Sequence, residues 1–134
     1  RVLSGSPDER RKLASRLLLA ALVAHDLEEA IGYGLQRPML LERLPLLLPT
    51  PLFWAALAVA TVAGGALLLW AGSGPASPGR TAALRTIAAI LLVNVLVPHA
   101  PVAWWLGGYA PGVITAVLVN IPVGLTALAL VRRL

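Results

Sequence analysis

The chain has no cysteine, and only 13% of its 134 residues are charged. Without thiols there is no disulfide, no cysteine-ligated zinc or iron–sulfur cluster and no thiol nucleophile. A soluble domain carries about 25% charge, and about half that share cannot wet a water-facing surface. Disorder is excluded as well, because it needs low hydrophobicity and high charge. Here 58% of residues are hydrophobic and the mean hydropathy is +0.82. The sequence holds no Gly-rich phosphate loop, no Ser-His-Asp set and no nucleic-acid motif. A net charge of +5 would suggest nucleic acid in a soluble protein. In a chain this apolar it fits cytoplasmic anchoring of membrane segments. What remains is one small all-α domain spanning residues 1–134, with the lipid bilayer as its partner and no nucleic acid. The sequence opens at Arg1 rather than methionine, so further N-terminal residues are expected. No signal-peptide cleavage pattern follows the first apolar run.

A membrane-crossing helix needs about 20 mostly apolar residues. Stretches at about 51–71, 81–107 and 112–131 meet that need, each bounded by Pro, Gly or Arg. Residues 72–79, Gly-Ser-Gly-Pro-Ala-Ser-Pro-Gly, form a breaker linker. A first stretch, about 12–35, starts with Leu17-Leu-Leu-Ala-Ala-Leu-Val-Ala24 and then meets His25, Asp26, Glu28 and Glu29. An acid at a helix centre opposes insertion by about 2.5–3.5 kcal/mol. Apolar residues continue on both sides, so this stretch reads as a span whose polar face turns into the bundle.

The basic residues set the topology. With four spans, nine of the eleven Lys and Arg fall on one side and Arg37 and Arg43 on the other. Positive residues collect in the cytoplasm, which predicts a compact four-helix bundle with both termini cytoplasmic. Tyr33, Trp54, Trp104, Trp105 and Tyr109 fall near the outer boundary and Trp70 near the inner one, as an aromatic belt would place them. The second span, rich in Ala and Gly and lacking any ionisable group, reads as packing scaffold. The loop from Gln36 to Thr50 reads as interfacial, with Pro45-Leu-Leu-Leu-Pro49 lying over the outer mouth.

The polar residues of the spans carry the chemistry. His25, Glu28 and Glu29 stand at i, i+3 and i+4, on one helix face. Asp26 sits about 100° round from His25, as a hydrogen-bond partner or shielded neighbour. The third span holds Asn94 and His99, which a straight helix would separate; Pro98 is expected to kink it. Asn120 lies in the fourth span. Counted at about 1.5 Å per residue, all these groups fall in one layer about 18–25 Å from the inner side. Two histidines and two carboxylates make a hard N/O donor set that suits Zn²⁺, Fe²⁺ or Mn²⁺. The spacing nominates His25, Glu28 and His99 as ligands of one ion. Glu29 would be a second-shell residue or a general base toward a metal-bound water, with Asn94, Asn120 and Asp26 in support. The third span has no Glu to complete a four-helix di-metal site. His25-Asp-Leu-Glu-Glu29 also departs from the zincin helix motifs.

These residues resemble the HXXEE-motif membrane proteins, a family of uncharacterised function. The likeness rests on His25, Glu28 and Glu29, on Asn94-Val-Leu-Val-Pro-His99, and on Tyr109-Ala-Pro-Gly112, and covers roughly residues 17–131. It implies a small polytopic membrane protein with a His/Glu site, and no particular reaction. The leading functional reading is a metal-dependent membrane enzyme acting on an apolar or lipid-like substrate. The alternatives are a proton-coupled or small-molecule binding or transport module, and a structural subunit whose polar cluster satisfies itself. So thin a bundle is also expected to form homo-oligomers.

Overall fold

The computed structural model describes residues 5–43 and 50–132. The stretch Pro45–Pro49, expected over the outer mouth, lies outside the described residues. Among the described residues all regular structure is helical. Helix α1 runs Pro7–Arg43 and α2 runs Thr50–Gly72. A third rod joins α3 (Pro78–Asn94), a kinked segment (Val95–His99) and α4 (Ala100–Leu106). A fourth joins α5 (Val113–Thr115), a π-helical turn (Ala116–Asn120) and α6 (Ile121–Val131). Among the described residues three helices are long and apolar enough to cross a membrane: Thr50–Gly72, Pro78–Leu106 and Val113–Val131. Helix α1 has the length, but Asp26, Glu28 and Glu29 interrupt its apolar stretch.

Local chemistry explains where the rods begin and end. Ser77 caps α3 by accepting the Arg80 backbone N–H at 3.3 Å, and Pro78 takes the first helical position. The last carbonyls of α2 have no partner within their own helix. Arg11, fully buried, donates to the carbonyls of Ala71, Ser73 and Gly74 while pairing with Asp8 at 3.1 Å. A guanidinium at a helix C-terminus also meets the negative end of the helix dipole. Arg85 donates to the Val131 carbonyl at 3.0 Å, tying the start of the third rod to the end of the fourth. The described ends of the chain therefore lie at one end of the bundle.

Helix α1 continues eight residues beyond the expected span, through Pro38. Proline disfavours helix for the residue before it. One heptad of spacing nevertheless keeps Tyr33 and Leu40 on one face, and both are buried against Phe53, Val102 and Leu106. That packing outweighs the local preference.

The main core is a seam of small and branched residues. Ala14, Leu18 and Ala21 of α1 meet Leu68 and Ala71 of α2, Leu84 and Ala88 of α3, and Ala127 and Leu130 of α6. Alanines there let the backbones approach closely, which suits helix association in lipid. The outward faces are apolar: Val59 and Val62 of α2, Val93 of α3 and Leu118 of the fourth rod are all exposed. Continuing α1 from Ala14, Leu18 and Ala21 by one more helical step brings the buried stripe to His25.

Candidate metal centre

His25 reaches the bundle interior because it occupies the inward register of α1, where it is 2% exposed. Its Nδ1 lies 3.0 Å from Thr115 Oγ1. The Thr115 hydroxyl lies 2.6 Å from Glu28 Oε2. The same carboxylate accepts the backbone N–H of Thr115 at 2.6 Å and of Ile114 at 3.2 Å. Glu28 thus acts as a pure acceptor at the positive end of the fourth rod. The threonine proton goes to Glu28, Nδ1–H donates to the threonine oxygen, and His25 Nε2 keeps its lone pair.

His99 comes from the third rod, across a break in the helix. Pro98 has no N–H and its ring crowds the preceding turn. The chain leaves helical geometry at Val97 (φ −145°, ψ 115°), and the helices before and after it meet at a kink. The kink brings together Asn94 and His99, which a regular helix would keep on different faces. Asn94 Nδ2 sits 3.2 Å from His99 Nε2 and 2.8 Å from His25 Nε2. The amide donates to both imidazoles, so the Asn94 nitrogen stands where the two Nε2 lone pairs converge. The two rings meet edge to face with centroids 4.7 Å apart. The His99 ring is also hydrogen-bonded to the Pro111 carbonyl.

Glu29, half-buried, brings Oε2 to 3.8 Å from His25 Nε2. Ligand atoms of His25, Glu29 and His99 lie within 4.8 Å of one another. The group could hold a metal ion. Glu28, the ligand nominated by spacing, points its oxygens at Ile114 and Thr115. Asp26 is buried and accepts the Thr61 hydroxyl at 2.5 Å, joining α1 to α2. Asn120 is fully buried, and neither amide atom has a protein partner, so no hydrogen bond joins it to the histidines.

Two threonines that the sequence did not flag do much of the positioning: Thr115 for His25 and Thr61 for Asp26. Thr115 had one signal, its place in the first turn after Gly112, where free backbone N–H groups attract a carboxylate. Thr61 had none beyond being the polar residue midway along an apolar helix. Gly112 is constrained by both backbone and space. It holds φ +82°, and a Cβ there would lie 2.6 Å from His99 Cε1 and 2.9 Å from His25 Cε1. Only glycine lets the chain pass so close to both rings.

Two cavities flank the cluster. One, of about 270 Å³, lies between α1, α2 and α3 and is lined by His25, Asp26, Glu29 and Asn94 together with Ala56, Ala60 and Ile90. The other, of about 170 Å³, is walled by Tyr33, Leu40, Phe53 and Val102, with Glu29 and His99 at its polar edge. Glu29 and Phe53 line both.

Fold and site together define an all-helical protein with membrane-length helices and a buried His/Glu cluster able to take a metal ion. The chain belongs to the family of proteins of unknown function with the HXXEE motif, which matches residues 16–127. No curated protein and no solved structure matches it.

Proposed function

We propose that the chain is a four-span integral membrane metalloprotein in which His25, Glu29 and His99 hold one divalent ion, Zn²⁺, Fe²⁺ or Mn²⁺. The observation that carries this reading is that ligand atoms of His25, Glu29 and His99, from two separate rods, lie within 4.8 Å of one another; an ion held there takes the place of the Asn94 amide that both imidazoles now accept from. Imidazole and carboxylate donors suit these three metals. Metal-binding histidines characteristically donate their second nitrogen to an oxygen that fixes the tautomer. Thr115, held by Glu28, does this for His25, and Pro111 for His99. Glu29 therefore takes the ligand position, and Glu28 positions the ligand His25.

Three protein ligands leave one position open, the pattern of catalytic rather than structural zinc sites. An ion so held polarises a bound oxygen or acidifies a bound water. With apolar cavity walls and lipid-facing helices around it, the site suits an enzyme acting on an apolar or lipid-like substrate. In this reading α1 crosses the bilayer as the first span. Its acids are turned inward or capped, as costly groups in membranes usually are. Both termini then lie on the cytoplasmic side with most of the Lys and Arg.

Elemental analysis of purified protein tests the metal directly. One equivalent of a divalent ion is expected, lost in His25→Ala and His99→Ala and retained in Glu28→Gln at weakened affinity. No ion in the wild type, or full retention in both histidine variants, contradicts it. Topology is tested on the cysteine-free chain by adding single cysteines at Ser73 and Gly108. The two should label from opposite faces of the membrane, with Ser73 on the same face as Gly5→Cys. Labelling of Gly5 and Ser73 from different faces removes the first span.

A second reading is favoured by Glu29 lying on the walls of both cavities: a proton-linked passage for a small solute. Proton-coupled flux into liposomes that Glu29→Gln abolishes would select it over the enzyme.

A further inference from the structure

The two cavities beside the cluster differ in a way that assigns a shape to what binds there. The larger has four polar or ionisable groups in its lining, His25, Asp26, Glu29 and Asn94. The smaller has polar groups at one edge only, Glu29 and His99, and is otherwise apolar. Even the Tyr33 hydroxyl is directed to Thr50, 3.3 Å away. Tyr33 is also stacked on Phe53 with ring centroids 3.7 Å apart and 14° between planes, and Trp54 meets both rings edge on. Such stacking makes a rigid wall rather than a deformable one. A cavity with this lining offers water too few partners to hold it.

We infer that the cavity bounded by Tyr33, Leu40, Phe53 and Val102 receives the apolar part of a single-chain amphiphile whose oxygen-bearing head meets the His25/Glu29/His99 group. Its volume of about 170 Å³ sets the size of that part. An apolar cavity of about 150 Å³ accommodates one benzene ring, so the group accepted contains about six carbons. Phe53 is the partition: it stands between this chamber and the larger cavity, which then serves the head or a second small reactant. Lipid tails are as apolar as the chamber wall. The chamber therefore selects by volume and adds little affinity of its own. A long acyl tail does not fit; a short or branched chain or a ring does.

The inference rests on the metal reading for the head group, and the test separates the two. Full-length protein in phosphatidylcholine nanodiscs is loaded with Zn²⁺ and titrated with hydroxamates of two, six and twelve carbons. The two- and six-carbon ligands should bind about equally well, and both at least tenfold better than the twelve-carbon one. Val102→Trp should fill the chamber, weaken the six-carbon ligand at least tenfold, and leave the two-carbon ligand and the zinc content unchanged. Leu40→Ala enlarges the chamber and should move the preference to longer chains, which keeps the test decisive if the tryptophan variant misfolds. A protein that binds zinc but shows no chain-length preference, or one that Val102→Trp does not alter, overturns the chamber assignment and leaves the metal reading intact. A protein that binds no zinc overturns the metal reading. The chamber is then judged by a six-carbon photoreactive amphiphile: crosslinks at Tyr33, Phe53 or Val102 support it, and crosslinks confined to the exposed faces of α2 overturn it.

Discussion

Along α1 the bundle changes character within two helical turns. From Ala14 to Ala21 it is solid: small and branched side chains from α2, α3 and α6 fill the space, and α2, α3 and α6 run as regular helix beside them. From His25 to Leu40 it is loose. The third rod kinks at Val97, the fourth switches to a π-helical turn, and two cavities open beside α1. The end that carries the termini holds the rods together through interlocked alanines and leucines. The other end uses the backbone irregularity that this permits to bring His99, Asn94 and Thr115 up to His25. Stability and site are thus segregated along the same four rods.

The sharpest way to break this contrast is at Gly112. Gly112→Ala forces a left-handed backbone on a residue with a side chain, at about 1–2 kcal/mol, and drives a methyl into two imidazoles, at about 1–3 kcal/mol. We expect a loss of about 2–5 kcal/mol in detergent unfolding together with loss of metal binding. Gly34→Ala, where a Cβ meets nothing within 4 Å, should be neutral or stabilising by up to about 1 kcal/mol. Equal effects at the two positions would show that the 112 turn is not built around the rings.

Leu18→Ala probes the packed half. In lipid the transfer contribution largely vanishes, leaving the cavity, at about 24 cal/mol per Å³ of void. The expected cost is roughly 2 kcal/mol of stability with metal affinity unchanged. A fall in metal affinity that matches the fall in stability would mean that the two halves are not separable.

Thr115→Val is the mirror image. It removes the oxygen that sets the His25 tautomer while keeping side-chain shape. Loss of such an outer partner costs about 10–100-fold in metal affinity, and stability should move far less than in Leu18→Ala. Thr115→Ser should restore binding, since it keeps the hydroxyl. A valine variant that binds metal like the wild type would dismiss the Glu28–Thr115–His25 chain as incidental.

The helical architecture was legible because apolar runs between breakers are the strongest message a membrane sequence carries. Among the described residues, the three helices both long and apolar enough to cross a membrane lie where those runs lie. Less legible was the end of α1, where Pro38 argues for a stop and the Tyr33–Leu40 packing overrides it. That polar groups on separate helices share a layer could be counted from helical rise. The two carboxylates of the motif were harder to tell apart. Glu28 and Glu29 differ by one residue, or about 100° around the axis, and spacing cannot say which of them meets the fourth rod. The free N–H groups and the hydroxyl of residues 114–115 draw Glu28 away from the histidines, and Thr115 reads as ordinary filler in an apolar run. The Asn94–His99 contact likewise needs a break at Val97, which Pro98 announces without giving its geometry.

The account stands or falls on whether imidazoles from α1 and the third rod share one ion. X-ray absorption spectroscopy of the zinc-loaded full-length protein reads this directly. It should show two imidazole nitrogens at about 2.0–2.1 Å together with oxygen ligands, and this shell should disappear in His99→Ala, which loses the ion. A zinc shell of oxygens alone, or one unchanged by removing His99, would contradict it.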